Sequence, residues 1–394
     1  MKILKIGTID KSGGAAKISW SIKQFMEKRG NKVSMFVDDK TSTDSNVFKI
    51  KRTVHRHICY LFSNDLDLFR TNWITKTKQY EESDIVHLHN LHGYYFNLNT
   101  LKKITSKKPT VWTLHDMWAI TPHCASPLTD EIKDGFFVCK NRKLYPRIFW
   151  PNEKYLRWRK RSIYKKSNFE IVVPSKWVLN KVKRSVLKDK KIHLIYNGIN
   201  NKIFKKENKK EIRKKLGLPF DKKIVLFVSD AHKNELKGTS FVEEIIKNNQ
   251  RDDLIFISIG GYESKQKNCI NINKINDQKL LAQYYSAADI FLYPSLADTF
   301  GLVVAESMSC GTPVLSFETG GIPEIALHKE NGYIARQKDS KDLQSGLEYL
   351  LNLQPEETET MSKKCSDRIS HNFTEKIMCE NYLNLYKKIL NKYE

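Results

Sequence analysis

Short apolar runs recur along the chain, and most lead through small or polar residues into stretches with apolar positions at helical spacing. Residues 2–9, 32–37, 84–89, 109–114, 169–174 and 192–196 read as strands in the first half. Residues 223–228, 254–259, 290–294 and 314–317 read as strands in the second. An unbroken apolar run is what a strand needs when both faces of its parallel sheet are covered. Helical spacing runs over 15–29, 280–288, 302–309, 343–351, 356–369 and about 374–392. Strands alternating with helices predict an α/β chain of doubly wound parallel sheets. Residues 40–83 are irregular and partly basic, and their pattern predicts no element.

The stretch 289–324 is the most informative. Its strand at 290–294 is followed by a loop at 295–301 and a helix at 302–309. Gly311 stops that helix, because a left-handed residue is cheap only for Gly. After the strand at 314–317, Thr319, Gly320 and Gly321 form a tight turn. Pro323 and Glu324 then suit the first turn of another helix. Ligands of open parallel sheets sit at the carboxyl ends of the strands, where both loops lie. Asp298 and Glu306 frame the first loop and helix. Eight helical residues separate two carboxylates by up to roughly 12 Å. A paired-acid hydrolase holds its carboxyl groups about 5 to 10 Å apart, so this spacing suits two grips on a longer ligand. The amides from Phe300 to Val303 are expected to be free helix N-terminal donors facing a phosphate. The plainer alternative is an Asp298 that caps the helix and a solvated Glu306.

In the first half, Gly13 and Gly14 separate a strand from a helix, where backbone amides can approach a phosphate. The pair is not a G-x-G-x-x-G fingerprint, so no dinucleotide site follows. The strand at 84–89 ends in His89, with His92 just beyond. The strand at 109–114 runs into His115 and Asp116. A lone His at a strand end is usually structural. Two strands delivering histidines to one edge, opposite a Gly loop, favour a site.

Length and charge extend this picture. A chain of 394 residues is long for one core, and two domains are expected. Residues 1–200 carry 39 Lys and Arg against 17 Asp and Glu, and the remainder 29 against 27. A basic half implies an anionic partner. Aromatic residues alternate with Arg and Lys over 145–166, as in a segment lying on anionic lipid. Nucleic-acid binding, an acceptor phosphate, or an ordinary helix with core aromatics would leave the same crude signature. No run of 18 apolar residues occurs, and the N-terminus does not read as a signal peptide. The seven cysteines form no C-x-x-C pair and read as scattered thiols of a reducing, cytoplasmic compartment. His123, Cys124 and Cys139 match no standard metal spacing.

The D-x7-E pattern from Asp298 to Glu306, with SCGTPVLSFETGGIPE and ENGYI after it, resembles the E-x7-E region of retaining nucleotide-sugar glycosyltransferases of family 4. The first family acid is usually Glu; here it is Asp298. HNLHGYYFN and LHDMW further resemble the branch that builds bacterial surface polysaccharide of the colanic acid type, the setting also of O-antigen and capsule. The resemblance implies an α/β chain of GT-B fold, with two doubly wound Rossmann-like domains facing across a cleft. Residues 1–200 would bind the acceptor, with helix 374–394 packing back on them, and residues 201–373 would bind the donor.

The donor would be a UDP- or GDP-sugar, with no cofactor and no metal. The implied catalytic residues are His115, Asp298 and Lys237. Glu306 would take the ribose hydroxyls. Asp298, Thr299 and the amides of Phe300, Gly301 and Leu302 would hold the sugar. Lys237, Lys233 (standing near the place of a family Arg) and the Gly13 and Gly14 amides would neutralise the diphosphate. His89, His92 and Asp116 would meet the acceptor, a lipid-diphosphate-linked saccharide at the anionic inner face of the cell membrane; no nucleic acid is expected. The alternatives are another enzyme of the fold, an epimerase or glycoside phosphorylase, and a non-enzymatic basic membrane-surface protein.

Overall fold

In the computed structural model, which describes residues 1–52, 55–229 and 235–392, the chain forms two compact units. One is Met1–Tyr196 with Met378–Glu394; the other is Asn197–Ile377. The strands in chain order begin with β1 (Lys2–Ile9), β2 (Lys32–Asp39), β3 (Val47–Lys49), β4 (Ile85–Leu88) and β5 (Thr110–Thr113). A short antiparallel pair follows, β6 (Ile132–Lys133) and β7 (Phe136–Phe137). Strands β8 (Glu170–Val173) and β9 (Ile192–Leu194) complete the first unit. Its main sheet runs β3-β2-β1-β4-β5-β8-β9, with every neighbour parallel. All four residues of both β4 and β5 are buried, as in strands covered on both faces, and the buried set includes His87, Thr110 and Thr113. The first crossover helix, Gly14–Lys28, turns Ile18, Ile22 and Met26 to the sheet at four-residue spacing.

The second unit holds β10 (Lys223–Ser229), β11 (Leu254–Gly260), β12 (Cys269–Ile272), β13 (Ile290–Tyr293), β14 (Val314–Phe317) and β15 (Gly332–Ala335). They form a parallel sheet in the order β12-β11-β10-β13-β14-β15. The order reverses between β10 and β13, whose carboxyl ends therefore flank the crevice where such sheets take ligands.

The last helix, Glu375–Leu390, supplies part of the first unit's core from the far end of the chain. Tyr382 and Tyr386 are fully buried there. The Tyr386 hydroxyl lies 2.5 Å from His87 Nδ1, and the Tyr382 hydroxyl 3.0 Å from Thr113 Oγ1. A buried hydroxyl without a partner is costly, and these two pairings satisfy four polar groups at once.

The structure departs from the sequence expectations in three places. Residues 40–83 hold β3, short helices at Arg56–Leu61 and Lys78–Glu81, and a 3₁₀ turn at Asn72–Lys76. Cys124 and Cys139 are joined in a disulfide, so the cysteines are not all scattered thiols. A pair fifteen residues apart, brought together by the hairpin of β6 and β7 between them, leaves no spacing motif. The five others are free, four of them buried. Third, half of the basic run at 145–166 faces inward. On helix Glu153–Lys165 the periodicity buries Leu156, Lys160, Ile163 and Tyr164 on one face. The Lys160 ammonium donates to the carbonyls of Trp118 and Thr121, at 2.6 and 3.0 Å, and sits 3.5 Å from the Trp118 ring centroid. Arg157 pairs with Asp134, Arg159 with Asp67, and Arg161 donates to the Asp134 carbonyl. These four cations are tied to the protein rather than displayed as one solvated face.

Candidate active site

In the second unit, Lys237 ends a 3₁₀ turn at Glu235–Lys237, and Gly238 follows it at φ +70°. A Cβ on Gly238 would stand 1.9 Å from the Pro294 carbonyl oxygen. Glycine alone lets this turn close onto the end of β13. The Leu296 amide donates to the Leu236 carbonyl at 2.8 Å and the Ser295 hydroxyl at 3.0 Å, fastening the two loops together. A Cβ on Gly320 would lie 1.6 Å from the Asp298 carbonyl oxygen, so the turn after β14 seats on the same loop.

This scaffold brings Lys237, Tyr293 and Asp298 together. The Lys237 ammonium donates to the Tyr293 hydroxyl at 2.6 Å and reaches Asp298 Oδ2 at 3.4 Å. The Tyr293 hydroxyl donates to the same Oδ2 at 2.7 Å. Asp298 Oδ1 accepts from the amides of Phe300 and Gly301, at 3.1 and 2.8 Å. Burial would push the Asp298 carboxyl up, but the Lys237 ammonium and these donors outweigh it and hold it below the usual range. Burial would likewise lower Lys237, yet Tyr293 and Asp298 raise it well above its ordinary value. Lys237 is therefore a permanent cation about one-third exposed, and two of its three donors are engaged among the described residues.

One expectation is corrected here. The amides of Phe300 and Gly301 are not free for a ligand, because the carboxylate of Asp298 takes them both. The helix proper, Leu302–Ser309, begins one residue later, and the amides of Leu302 and Val303 open it where no intrahelical acceptor exists. Glu306, on that helix, is buried rather than solvated, with the Tyr285 hydroxyl 3.5 Å from its Oε2. Thr299 lies in the loop between Asp298 and the helix, and Lys233 lies outside the described residues.

In the first unit, Gly13 has φ +86° and precedes helix Gly14–Lys28, whose start has no side-chain cap. Nothing lies within 4 Å of where a Gly13 Cβ would be. The strand ends deliver the histidines together, as their positions suggested. His89 Nδ1 and His115 Nε2 are 2.8 Å apart with stacked rings, and His92 Nε2 meets Asp116 Oδ2 at 2.6 Å. The His87 ring, on β4, lies 4.1 Å from that of His89 at a tilt of 39°, with its Nε2 2.7 Å from Thr113 Oγ1. Burial pushes His87 and His89 far below the usual imidazole range, aided by neighbouring basic groups, Lys5 among them. His115 falls to about 4, mainly by burial, with Asp116 opposing. The column is neutral at physiological pH. Among the described residues, buried His89 Nε2 and His92 Nδ1 have no hydrogen-bond partner. Sequence reading missed His87, Tyr285 and Tyr293. Each lies in an apolar or mixed run, where a polar tip facing a site leaves no periodic trace.

Two parallel-sheet Rossmann-like units, with a cation and a helix start at the carboxyl edge of the second and polar residues gathered at that of the first, define a glycosyltransferase of GT-B type. Residues 12–202 match the model of Glycosyltransferase Family 4, and residues 208–368 that of Glycosyl transferases group 1. The chain thus carries a glycosyltransferase family 4 domain followed by a glycosyl transferases group 1 domain. It is 25% identical over 350 residues to WcaC of Escherichia coli K12, a protein named for glycosyl transfer in colanic acid biosynthesis, covering 84% of this chain and 81% of that one. Among solved structures it resembles the sucrose-phosphate synthase of Thermosynechococcus elongatus, with a TM-score of 0.73 at 17% identity and 99% of each chain covered. It also resembles Anabaena HepE in complex with UDP, with a TM-score of 0.71 at 15% identity, covering 98% of this chain and all of the other. HepE has also been solved with UDP-glucose.

Proposed function

We propose that this glycosyltransferase moves a sugar, with retention of anomeric configuration and without a metal ion, from a UDP- or GDP-sugar to a lipid-diphosphate-linked saccharide. The setting is surface polysaccharide assembly, with the protein held peripherally on the inner face of the cell membrane. The observation that carries the donor half is Lys237, a fixed cation at the carboxyl edge of the second sheet with two of its three donors engaged among the described residues. Negative charge develops on the departing diphosphate in the transition state. A preorganised ammonium, with the Leu302 and Val303 amides, lowers the barrier there. Asp298 acts through Lys237, holding it charged and oriented, rather than on the sugar. Glu306 takes the ribose hydroxyls. The acceptor attacks the face that the diphosphate leaves, and the leaving phosphate takes its proton. His115, neutral, orients the sugar. The colanic acid name of WcaC supports the polysaccharide setting, and the nucleotides held by HepE support the donor class.

The test is thermal stability against a panel of nucleoside diphosphates and their sugars in the presence of a chelator. One nucleotide at ~100 times its dissociation constant is expected to add roughly 2.7 kcal/mol. No shift with any of them, or a shift only with divalent metal, refutes the reading.

A further inference from the structure

The first unit carries a second surface that the donor chemistry does not use. A cavity of about 430 Å³ opens at the carboxyl edge of its sheet, lined among others by Thr8, Asp38, Arg52, Tyr60, Lys143 and Arg147. Asp38 is neutralised by Arg52, whose Nε donates to it at 2.7 Å. Lys143 and Arg147 are exposed. Arg147 lies 4.5 Å from the Tyr60 ring centroid, which keeps its guanidinium at the mouth.

The same mouth borders an apolar shelf. The Tyr60 ring packs edge-on against Phe149 at 5.7 Å. The Trp150 indole N–H donates to the Leu61 carbonyl at 2.8 Å, and the amides of Phe149 and Trp150 both donate to the Ser63 hydroxyl. Tyr60, Leu61, Phe149 and Trp150 are thus joined in one patch. Leu61, Phe62, Phe149 and Trp158 are each more than half exposed. Scattered exposed apolar residues are ordinary; Tyr60, Leu61, Phe149 and Trp150 tied together beside Arg147, at the cavity that Lys143 also lines, are not scattered. Tryptophan beside basic groups suits the boundary between phosphate headgroups and hydrocarbon.

We propose that cavity and shelf together seat an anionic amphiphile, its phosphate against Lys143 and Arg147 and its apolar chain across Leu61, Phe62 and Phe149. The inference deepens the proposed function and rests on it: the amphiphile is the lipid-linked acceptor. Neither half would suffice alone. A free phosphorylated sugar would leave the shelf in water, and a bare hydrocarbon would leave the cations unpaired.

The probe is farnesyl diphosphate, titrated below its micellar range into the full chain and followed by tryptophan fluorescence. Inorganic diphosphate and farnesol serve as half-ligands. Farnesyl diphosphate is expected to bind at least about tenfold tighter than either half-ligand. Lys143→Ala with Arg147→Ala, and separately Leu61→Ser with Phe149→Ser, are each expected to weaken it about tenfold. All four side chains are on the surface, so folding is preserved. Stabilisation by UDP or GDP should be unaltered in both variants. Equal affinity for farnesyl and inorganic diphosphate, or no loss in the shelf variant, overturns the inference. A chain stabilised by nucleotide that ignores farnesyl diphosphate fails this inference alone. A chain that ignores every nucleotide fails the proposed function, whatever it does with the lipid.

Discussion

Lys237 and Asp298 hold each other in place, and their separate removal should have different effects. Lys237→Ala removes the preorganised cation and is expected to lower kcat by at least ~100-fold, the scale of losing one charge-stabilising donor. Asp298→Asn leaves the lysine but removes its counter-charge and weakens the cap on Phe300 and Gly301. It should lower both kcat and melting temperature, a pairing that a surface acid would not give. Glu306→Ala should cost about 2 to 3 kcal/mol of donor binding, read by calorimetry with the nucleotide found in the thermal panel. Unchanged affinity would mean that Glu306 only serves Tyr285 inside the fold. The two acids were legible from the loop and helix that they frame, and Lys237 only through the family resemblance. What they touch was not. The helix starts at Leu302, as its spacing predicts, but whether the Asp before it meets a ligand or its own backbone is decided in the intervening turn, where the carboxylate takes the Phe300 and Gly301 amides.

The column formed by β4 and β5 sets a pH dependence for the first unit. His87, His89 and His115 all have folded-state values depressed below 6.5, His115 to about 4. Below pH 6.5 the unfolded chain takes up protons that the folded column refuses. The stability these residues contribute is thus complete above about 6.5 and is lost as pH falls toward 4. Each histidine contributes a slope of up to ~1.4 kcal/mol per pH unit, so three give about 4. All seven tryptophans lie at or before position 177, so their fluorescence in urea reports on the first unit alone. A midpoint unchanged between pH 7 and 5 would refute the column's neutrality. Tyr386→Phe should lower the unfolding free energy of this unit by about 1 to 3 kcal/mol, because His87 Nδ1 would be left buried without its partner. At this scale the long buried strands were legible as unbroken apolar runs. β3, with three residues, and β12, an edge strand with its middle pair exposed, were not, because neither buries enough of itself to write a pattern.

For the whole molecule, charge asymmetry and the aromatic shelf lead to one expectation. The chain should sediment with vesicles containing anionic lipid, less so as salt rises, and not with neutral vesicles. Each Lys or Arg near the surface contributes roughly 1 kcal/mol, decaying within a Debye length. Replacing Lys143, Arg147 and Lys154 with Ser should weaken recovery strongly. Replacing Arg157, Arg159 and Arg161 should instead lower stability, since Asp67 and Asp134 would lose their partners. Equal recovery on neutral vesicles would remove the electrostatic account. The excess of positive charge was plain from composition, but which cations face outward was decided by helix phase and by Lys160, whose burial no charge count reveals.

The pairing of Thr113 with Tyr382 spans 269 residues of chain. At about 5 to 20 residues per second, the ribosome adds the second partner roughly 13 to 54 s after the first. During that interval the nascent first unit lacks the helix that covers His87 and Thr113, and it presents an open apolar seam to the cell. Its native state is reached only once that helix has been made. A message truncated before codon 375 would therefore yield a product with both sheets written in full and one of them unable to close, a species expected to be held by chaperones rather than released as a working half.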